Sequence, residues 1–207
     1  MKLAGLDYLD LSSHLSENEI MVQQSTRKFV DKEIIPIIDE YFENGTFPDS
    51  LTHKIANMGF FGISLPKEDG GGGMNNIIYG LVCQEIERGD SAIRSFISVQ
   101  SSLVMYPIHA FGSDVQRGKW LPLLAKGAAI GSFGLTEPDS GSDPGSMKTL
   151  AKKVDGGFLI NGNKMWITNG SNADISVVWA KTEDEVVRGF LIEKGMKGFS
   201  TPEMKHK

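Results

Sequence analysis

The chain has 207 residues, a formal net charge of −5 and one cysteine, Cys83. That length accommodates one or two domains with a real core, and the composition is that of a soluble globular protein with somewhat raised glycine. The acidic balance and the absence of a Lys/Arg cluster argue against nucleic acid as the main partner, and a lone cysteine excludes an intrachain disulfide framework and fits a reducing compartment.

Residues up to about 15 read as a loosely held lead-in, in which Met1-Lys2 runs into Asp7 and Asp10 rather than a signal-peptide core. With no apolar run long enough for a membrane span, a cytoplasmic location is expected, or the mitochondrial matrix in a eukaryote. Ser16-Glu-Asn-Glu19 has the form of a capping box. A helix should follow to about Glu43, because Val30, Ile34, Ile37, Ile38 and Tyr41 keep the 3.6-residue period. Pro36 is expected to kink it and Asn44-Gly45 to stop it. A second helix is predicted over Asp49–Asn57, ending at Gly59. Gly62–Pro66 then reads as an extended connector and Gly70–Gly73 as a flexible break. Helices are predicted again over Asn75–Arg88, Ala92–Phe111 and Asp114–Lys126, with Ser91 and Ser113 as N-caps. Cys83 falls in an apolar helical pattern and reads as buried and inert. The histidines at 14, 53, 109 and 206 share no ligand-like spacing with one another or with Cys83, so no metal site is expected.

At about Ala128 the pattern changes to short apolar runs separated by turn dipeptides. Asp155-Gly156 lies between Leu150–Val154 and Phe158–Ile160, and Asn161-Gly162 precedes Lys164–Thr168; both read as hairpins. Ile175–Lys181 and Gly189–Glu193 supply further strands. The fold class is therefore α+β: an all-α helical region over residues 1–127, then an antiparallel β-domain over 128–207.

Two stretches concentrate the chemistry of the β region. Phe133-Gly-Leu-Thr-Glu-Pro-Asp-Ser-Gly-Ser-Asp143 places the hydroxyls of Thr136 and Ser142 on a short loop after an apolar run. Pro138 denies a helix there, and Gly141 allows close backbone approach, so successive amides can form an anion-binding concavity. Lys164-Met-Trp-Ile-Thr-Asn169 puts Trp166 and Thr168 two residues apart, on one face if the segment is a strand. A flat aromatic beside a hydroxyl suits a planar, redox-active ring. Read singly, the loop is an ordinary turn, Trp166 a core residue, and the three hydroxyls turn and edge groups satisfied locally. No Gly-x-Gly-x-x-Gly follows a strand and opens a helix, so this is not a dinucleotide fingerprint of the Rossmann kind.

Together the two motifs resemble the acyl-CoA dehydrogenase family, flavoproteins with an N-terminal helical domain, a central β-domain and a C-terminal helical bundle. The resemblance implies FAD as cofactor. It assigns Thr168 and the backbone of Trp166, Ile167 and Thr168 to the reactive edge of the flavin, with Trp166 as the stacking wall. Thr136, with the backbone of Leu135 and the adjoining Phe133, would serve the pyrimidine side. Ser142 and the Gly141 turn would meet the diphosphate and the mouth of the acyl-CoA channel.

A second stretch runs from Glu85 to Met105, and its Arg94-Ser95 pair followed by Ser98-Val-Gln-Ser-Ser-Leu-Val-Met105 is most similar to glutaryl-CoA dehydrogenases. A dicarboxylic acyl group carries a carboxylate that must not be buried unpaired, and Arg94 offers it a planar charged fork, with Ser95 adding a hydroxyl. Glu87 is a further candidate for this polar network. Ile93 stands where an aromatic residue is expected, which leaves the choice among short dicarboxylates open. The competing reading is an exposed Arg94 paired with Asp90 at i,i+4.

The resemblance implies α,β-dehydrogenation of an acyl-CoA thioester, with decarboxylation to crotonyl-CoA for a glutaryl group, an electron-transferring flavoprotein as electron acceptor, and a homo-oligomer, a homotetramer in this family. It spans only the N-terminal portion of a family member. The catalytic glutamate base is expected in the C-terminal bundle, so no residue here is assigned as acid or base. A short-chain dehydrogenase of monocarboxylic substrates and a non-catalytic fragment are the alternative readings.

Overall fold

The computed structural model describes residue 7 and residues 9–204; Met1, Lys2 and His206, which enter the sequence argument, lie outside them. Leu11–His14 forms a short 3-10 turn. Helix α1 (Glu17–Phe29) opens on the expected capping box, with Ser16 and Glu19 bonded reciprocally. A π-helical turn (Val30–Ile34) leads into α2 (Ile35–Asn44), which ends at Gly45 in the left-handed region. Pro36 lacks an N–H and crowds the preceding turn. The helix continues past it by widening, the Ile35 amide reaching back to the Val30 carbonyl.

The same device recurs further on. α3 is Leu51–Asn57, α4 Asn76–Gly89 with Asn75 as N-cap, and α5 Ser91–Ser98. A second π-helical turn (Val99–Met105) precedes α6 (Tyr106–Phe111), which carries Pro107 in its first turn. α7 (Asp114–Ala125) opens on a capping box between Ser113 and Gln116. The cap of α5 is Asp90, whose carboxylate accepts the Ile93 amide at 2.8 Å, rather than Ser91.

Residues 62–73 differ from expectation. Gly62–Pro66 is a series of turns, not an extended connector. Gly70–Gly73 is a packed strap: the amides of Gly72 and Gly73 bond the carbonyls of Gly62 and Leu65 at 3.2 and 2.8 Å. A Cβ on Gly71 or Gly72 would meet the carbonyl of Leu65 or Ile63 at 2.3 or 2.7 Å, so the glycines serve backbone-to-backbone contact.

The sheet comprises β1 (Gly131–Gly134), β2 (Leu150–Val154), β3 (Gly157–Asn161), β4 (Ile175–Thr182) and β5 (Val187–Glu193). It is mixed rather than wholly antiparallel. β1 and β2 both lie parallel to β4, β1 along its first half and β2 at its end, while β3 and β5 pair antiparallel with β2 and β4. The β2–β3 hairpin forms at Asp155-Gly156 as predicted. The Asn161-Gly162 hairpin does not, since 162–170 runs as an irregular loop with turns instead of a strand.

One core runs from the helices into the sheet. Val30, Ile34, Ile86, Ile97, Leu121 and Ile175 are all buried in it, and Trp179 and Phe133 pack against its edge with ring centroids 5.9 Å apart. The helices thus form a platform on one face of the sheet, and β1 is delivered from that platform to the loop after Gly134.

Candidate functional site

The loop after β1 and the segment before β4 lie side by side because two local conformations need each other. Glu137 leaves β1 and is buried, 6% exposed, with a one-residue bridge to Ser140 closing the turn around Pro138. Its carboxylate accepts from Lys164 Nζ at 2.8 Å, from the amides of Lys148 and Thr149 at 2.6 and 3.0 Å, and from the Thr149 hydroxyl. Burial alone would push this carboxyl up, but Lys164, the Thr149 hydroxyl and the two amides outweigh it and hold the group at about 2. With four donors on its two oxygens and so low a pKa, Glu137 cannot serve as a base at neutral pH.

Lys164 also donates to the Leu135 carbonyl at 2.9 Å, and the Met165 amide donates to the Thr136 carbonyl at 2.8 Å. Further on, Asn169 Nδ2 donates to the Gly131 carbonyl at 3.1 Å. Between these anchors the backbone turns sharply, with Trp166 and Asn169 at φ 62° and 63°. Left-handed φ at a tryptophan is uncommon and costs energy that the flanking bonds must offset. The same-face strand geometry expected for Trp166 and Thr168 is therefore replaced by a turn, which leaves the Trp166 indole 51% exposed beside an exposed Thr168 and a half-buried Ile167.

Leu135 and Thr136 are half-buried at the junction, and Gly141 and Ser142 lie exposed on the adjoining turn, where a Cβ on Gly141 would meet only Thr136 Cγ2 at 3.9 Å. Phe133 packs its ring against Trp179 at the edge of the core. Among the described residues, the hydroxyls of Thr136, Ser142 and Thr168 enter no hydrogen bond, unlike those of neighbouring Ser140, Ser146 and Thr149. The site thus combines a half-exposed indole, unengaged hydroxyls and a glycine turn with room above it. That donor set fits a flat, acceptor-rimmed ring bearing an anionic tail. A cleft of about 400 Å³ lies elsewhere, between α6, α7 and strands β4 and β5.

Arg94 and Ser95 belong to a second polar cluster, on the α4–α5 face. Tyr79, Cys83 and Glu87 follow one another at four-residue spacing on α4, and Arg94, Ser98 and Ser102 do so on α5 and the π turn. Arg94 Nε donates to Glu87 at 2.6 Å and Nη1 to Ser98 Oγ at 3.1 Å; Ser98 in turn donates to the Ser95 carbonyl. Tyr79 and Ser102 share a bond of 2.8 Å at the other end. Burial pushes the Tyr79 hydroxyl up to about 12 and raises the Cys83 thiol as well, so both stay protonated at neutral pH. Cys83 is half-buried rather than buried. The alternative pairing of Arg94 with Asp90 does not occur, because Asp90 is the cap of α5. A guanidinium has five N–H donors, and these bonds leave several for a ligand.

Sequence reasoning passed over Lys164 and Thr149. Their partner Glu137 lies 27 and 12 positions away, and no periodicity links such distant positions; the one available signal was a lysine directly before Met165-Trp166.

Residues 16–128 match the family model of the acyl-CoA dehydrogenase N-terminal domain, and residues 132–207 that of the middle domain. The chain is 37% identical over 198 residues to an acyl-CoA dehydrogenase of Bacillus subtilis, covering 94% of this chain and 52% of that protein. It is 36% identical to the mitochondrial isovaleryl-CoA dehydrogenase of Pongo abelii, covering 93% and 47%. Among solved structures, a glutaryl-CoA dehydrogenase of Mycobacterium smegmatis in complex with FADH2 superposes with a TM-score of 0.93 at 44% identity, covering 96% of this chain and 51% of that one. The chain spans about half the length of the curated relatives it matches.

Proposed function

The chain belongs to the acyl-CoA dehydrogenase family, and from that premise we propose that it forms the FAD-binding and acyl-CoA-binding part of an enzyme that dehydrogenates acyl-CoA thioesters. The observation that carries this reading is the apposition of the Leu135–Thr136 loop and the Trp166–Thr168 turn, with an exposed indole and unengaged hydroxyls between shared anchors. Trp166 would wall one face of the flavin and Thr168 and Thr136 would meet its two polar edges. Ser142 and the Gly141 turn would hold the diphosphate. The chemistry FAD supplies when bound is acceptance of a hydride from the β-carbon of the thioester. Residues 1–127 and 128–207 are its two domains in this reading. Delivery of electrons to an electron-transferring flavoprotein, and assembly into a homo-oligomer, are proposed for the whole protein.

For the substrate we propose glutaryl-CoA. The support is Arg94, which keeps spare guanidinium donors on a part-exposed face with Ser95 beside it. The specific observation favouring a short monocarboxylic acyl group is that Glu87 already neutralises Arg94. The test uses the full-length protein. Comparable FAD content in wild type and Arg94→Ala, with turnover of glutaryl-CoA lost at least a hundredfold and of butyryl-CoA retained, is the expected result. Equal rates on glutaryl-CoA after Arg94→Ala would remove the tail-binding role, and full-length protein that takes up no FAD would remove the whole reading.

A further inference from the structure

The ion pair beneath the candidate site is unusually placed. Lys164 and Glu137 have side chains only 11% and 5% exposed. A buried pair seldom adds net stability over apolar residues of the same volume, and its best-attested use is to fix register. What this one fixes can be read from its bonds. Lys164 Nζ captures the Leu135 carbonyl, and the next residue's amide captures the Thr136 carbonyl. The chain has no cis peptide among its described residues. In a planar trans peptide the carbonyl oxygen and the following N–H point in opposite directions. Drawing the Leu135 oxygen inward to the ammonium therefore turns the Thr136 N–H outward, away from Lys164.

We propose that Lys164 is a positioning residue: held by Glu137, it turns the Leu135 carbonyl inward and so aims the Thr136 amide N–H outward, as a donor to the acceptor edge of the flavin's pyrimidine ring. This inference rests on the flavin reading above. Reduction builds negative charge on that edge, so a donor held there favours the reduced cofactor over the oxidised one. Lys164 itself need not touch the cofactor. Because it stands two residues before Trp166, it also fixes the distance between the stacking wall and the donor.

The test is made on the full-length holoenzyme with Lys164→Met and Lys164→Arg, reading the two-electron flavin potential and the FAD dissociation constant. Lys164→Met should weaken binding of reduced FAD relative to oxidised FAD by about tenfold, a potential roughly 30 mV more negative. Lys164→Arg should return the ratio to within about twofold of wild type. If Lys164→Met gives no soluble protein, Glu137→Gln with Lys164→Met leaves no unpaired buried charge and should show the same shift. A wild-type potential in the methionine variant, or in that double variant, overturns the inference. Trp166→Ala separates the two levels. If it leaves FAD affinity unchanged, the flavin reading is at fault; if it weakens FAD while Lys164→Met leaves the potential alone, only the positioning role fails.

Discussion

Gln100 Oε1 accepts the Gly131 amide at 2.9 Å, so the first residue of the sheet is held by a fully buried side chain of the helical region. The same carboxamide donates to the carbonyls of Leu124 and Ala129 at 3.0 and 2.9 Å, gathering the end of α7 and the approach to β1. Gln100→Met keeps the volume and removes all three bonds; the Leu124 carbonyl keeps the Gly127 amide at 3.1 Å, but the Ala129 carbonyl and the Gly131 amide are left without partners. Each such orphan costs about 1–3 kcal/mol, so a loss of about 4 kcal/mol is expected in urea unfolding. A loss below about 1 kcal/mol would show that water reaches these groups.

Two glycines on α4 should respond to alanine with opposite signs. A Cβ on Gly80 meets nothing within 4 Å, whereas one on Gly89 would lie 2.7 Å from Val30 Cγ1 and 3.2 Å from Ile34 Cγ2, both on side chains wholly buried. Gly80→Ala should stabilise by about 0.5–1 kcal/mol through helix propensity. Gly89→Ala overpacks the crossing of α4 with the first π turn and should cost about 1–3 kcal/mol. Thermal unfolding of the two variants, measured together, checks both signs.

Glu85 is 2% exposed and receives Arg27 at 2.6 and 2.9 Å, with Arg88 at 3.3 Å. Glu85→Ala leaves two arginines facing each other across a small void. Because Arg27 is half-exposed, water can reclaim much of its charge, and a loss of about 2 kcal/mol is expected in chemical unfolding rather than the larger figure for a fully buried pair. Charge reversal at Arg27, Arg27→Glu, should be worse than Arg27→Ala, a contrast that tests whether charge or packing dominates.

The helical region was legible because its signals are local. Ser16 and Glu19 announce α1 within four residues, and the apolar period survives Pro36 since a π turn absorbs the missing donor without disturbing the buried face. The motifs of the site were legible as sequence, but their geometry was not. Trp166 alternates with Thr168 as a strand would, and it is Lys164 bonding to Glu137, across the fold, that bends the segment into a left-handed turn. The parallel pairing of β1 with β4 joins Gly131 to Ile175, a separation over which hairpin logic says nothing. The glycine strap at 70–73 reads as slack chain for a related reason: glycine marks both a flexible break and the closest backbone contact, and only the carbonyls of Ile63 and Leu65 decide between them.

The acidity of Glu137 should govern the low-pH behaviour of the loop. Its carboxyl is held at about 2 in the folded chain, below the ordinary value of 4.5. A group lowered on folding stabilises the native state fully above its unfolded value, and that contribution drains away as pH falls towards the folded value. Wild-type stability should therefore decline between about pH 4.5 and pH 2 in part through this residue. Glu137→Gln removes the titrating group while keeping an acceptor for the Lys148 and Thr149 amides. Its stability should be lower than wild type at pH 7, where the Lys164 ammonium loses its counter-charge, and the gap should close as pH falls through that window. Urea midpoints at several pH values, taken on both proteins, read the two slopes directly. A gap that stays constant down to pH 2 would mean that Glu137 does not carry its charge in the folded state and that the Lys164 contact is a neutral hydrogen bond.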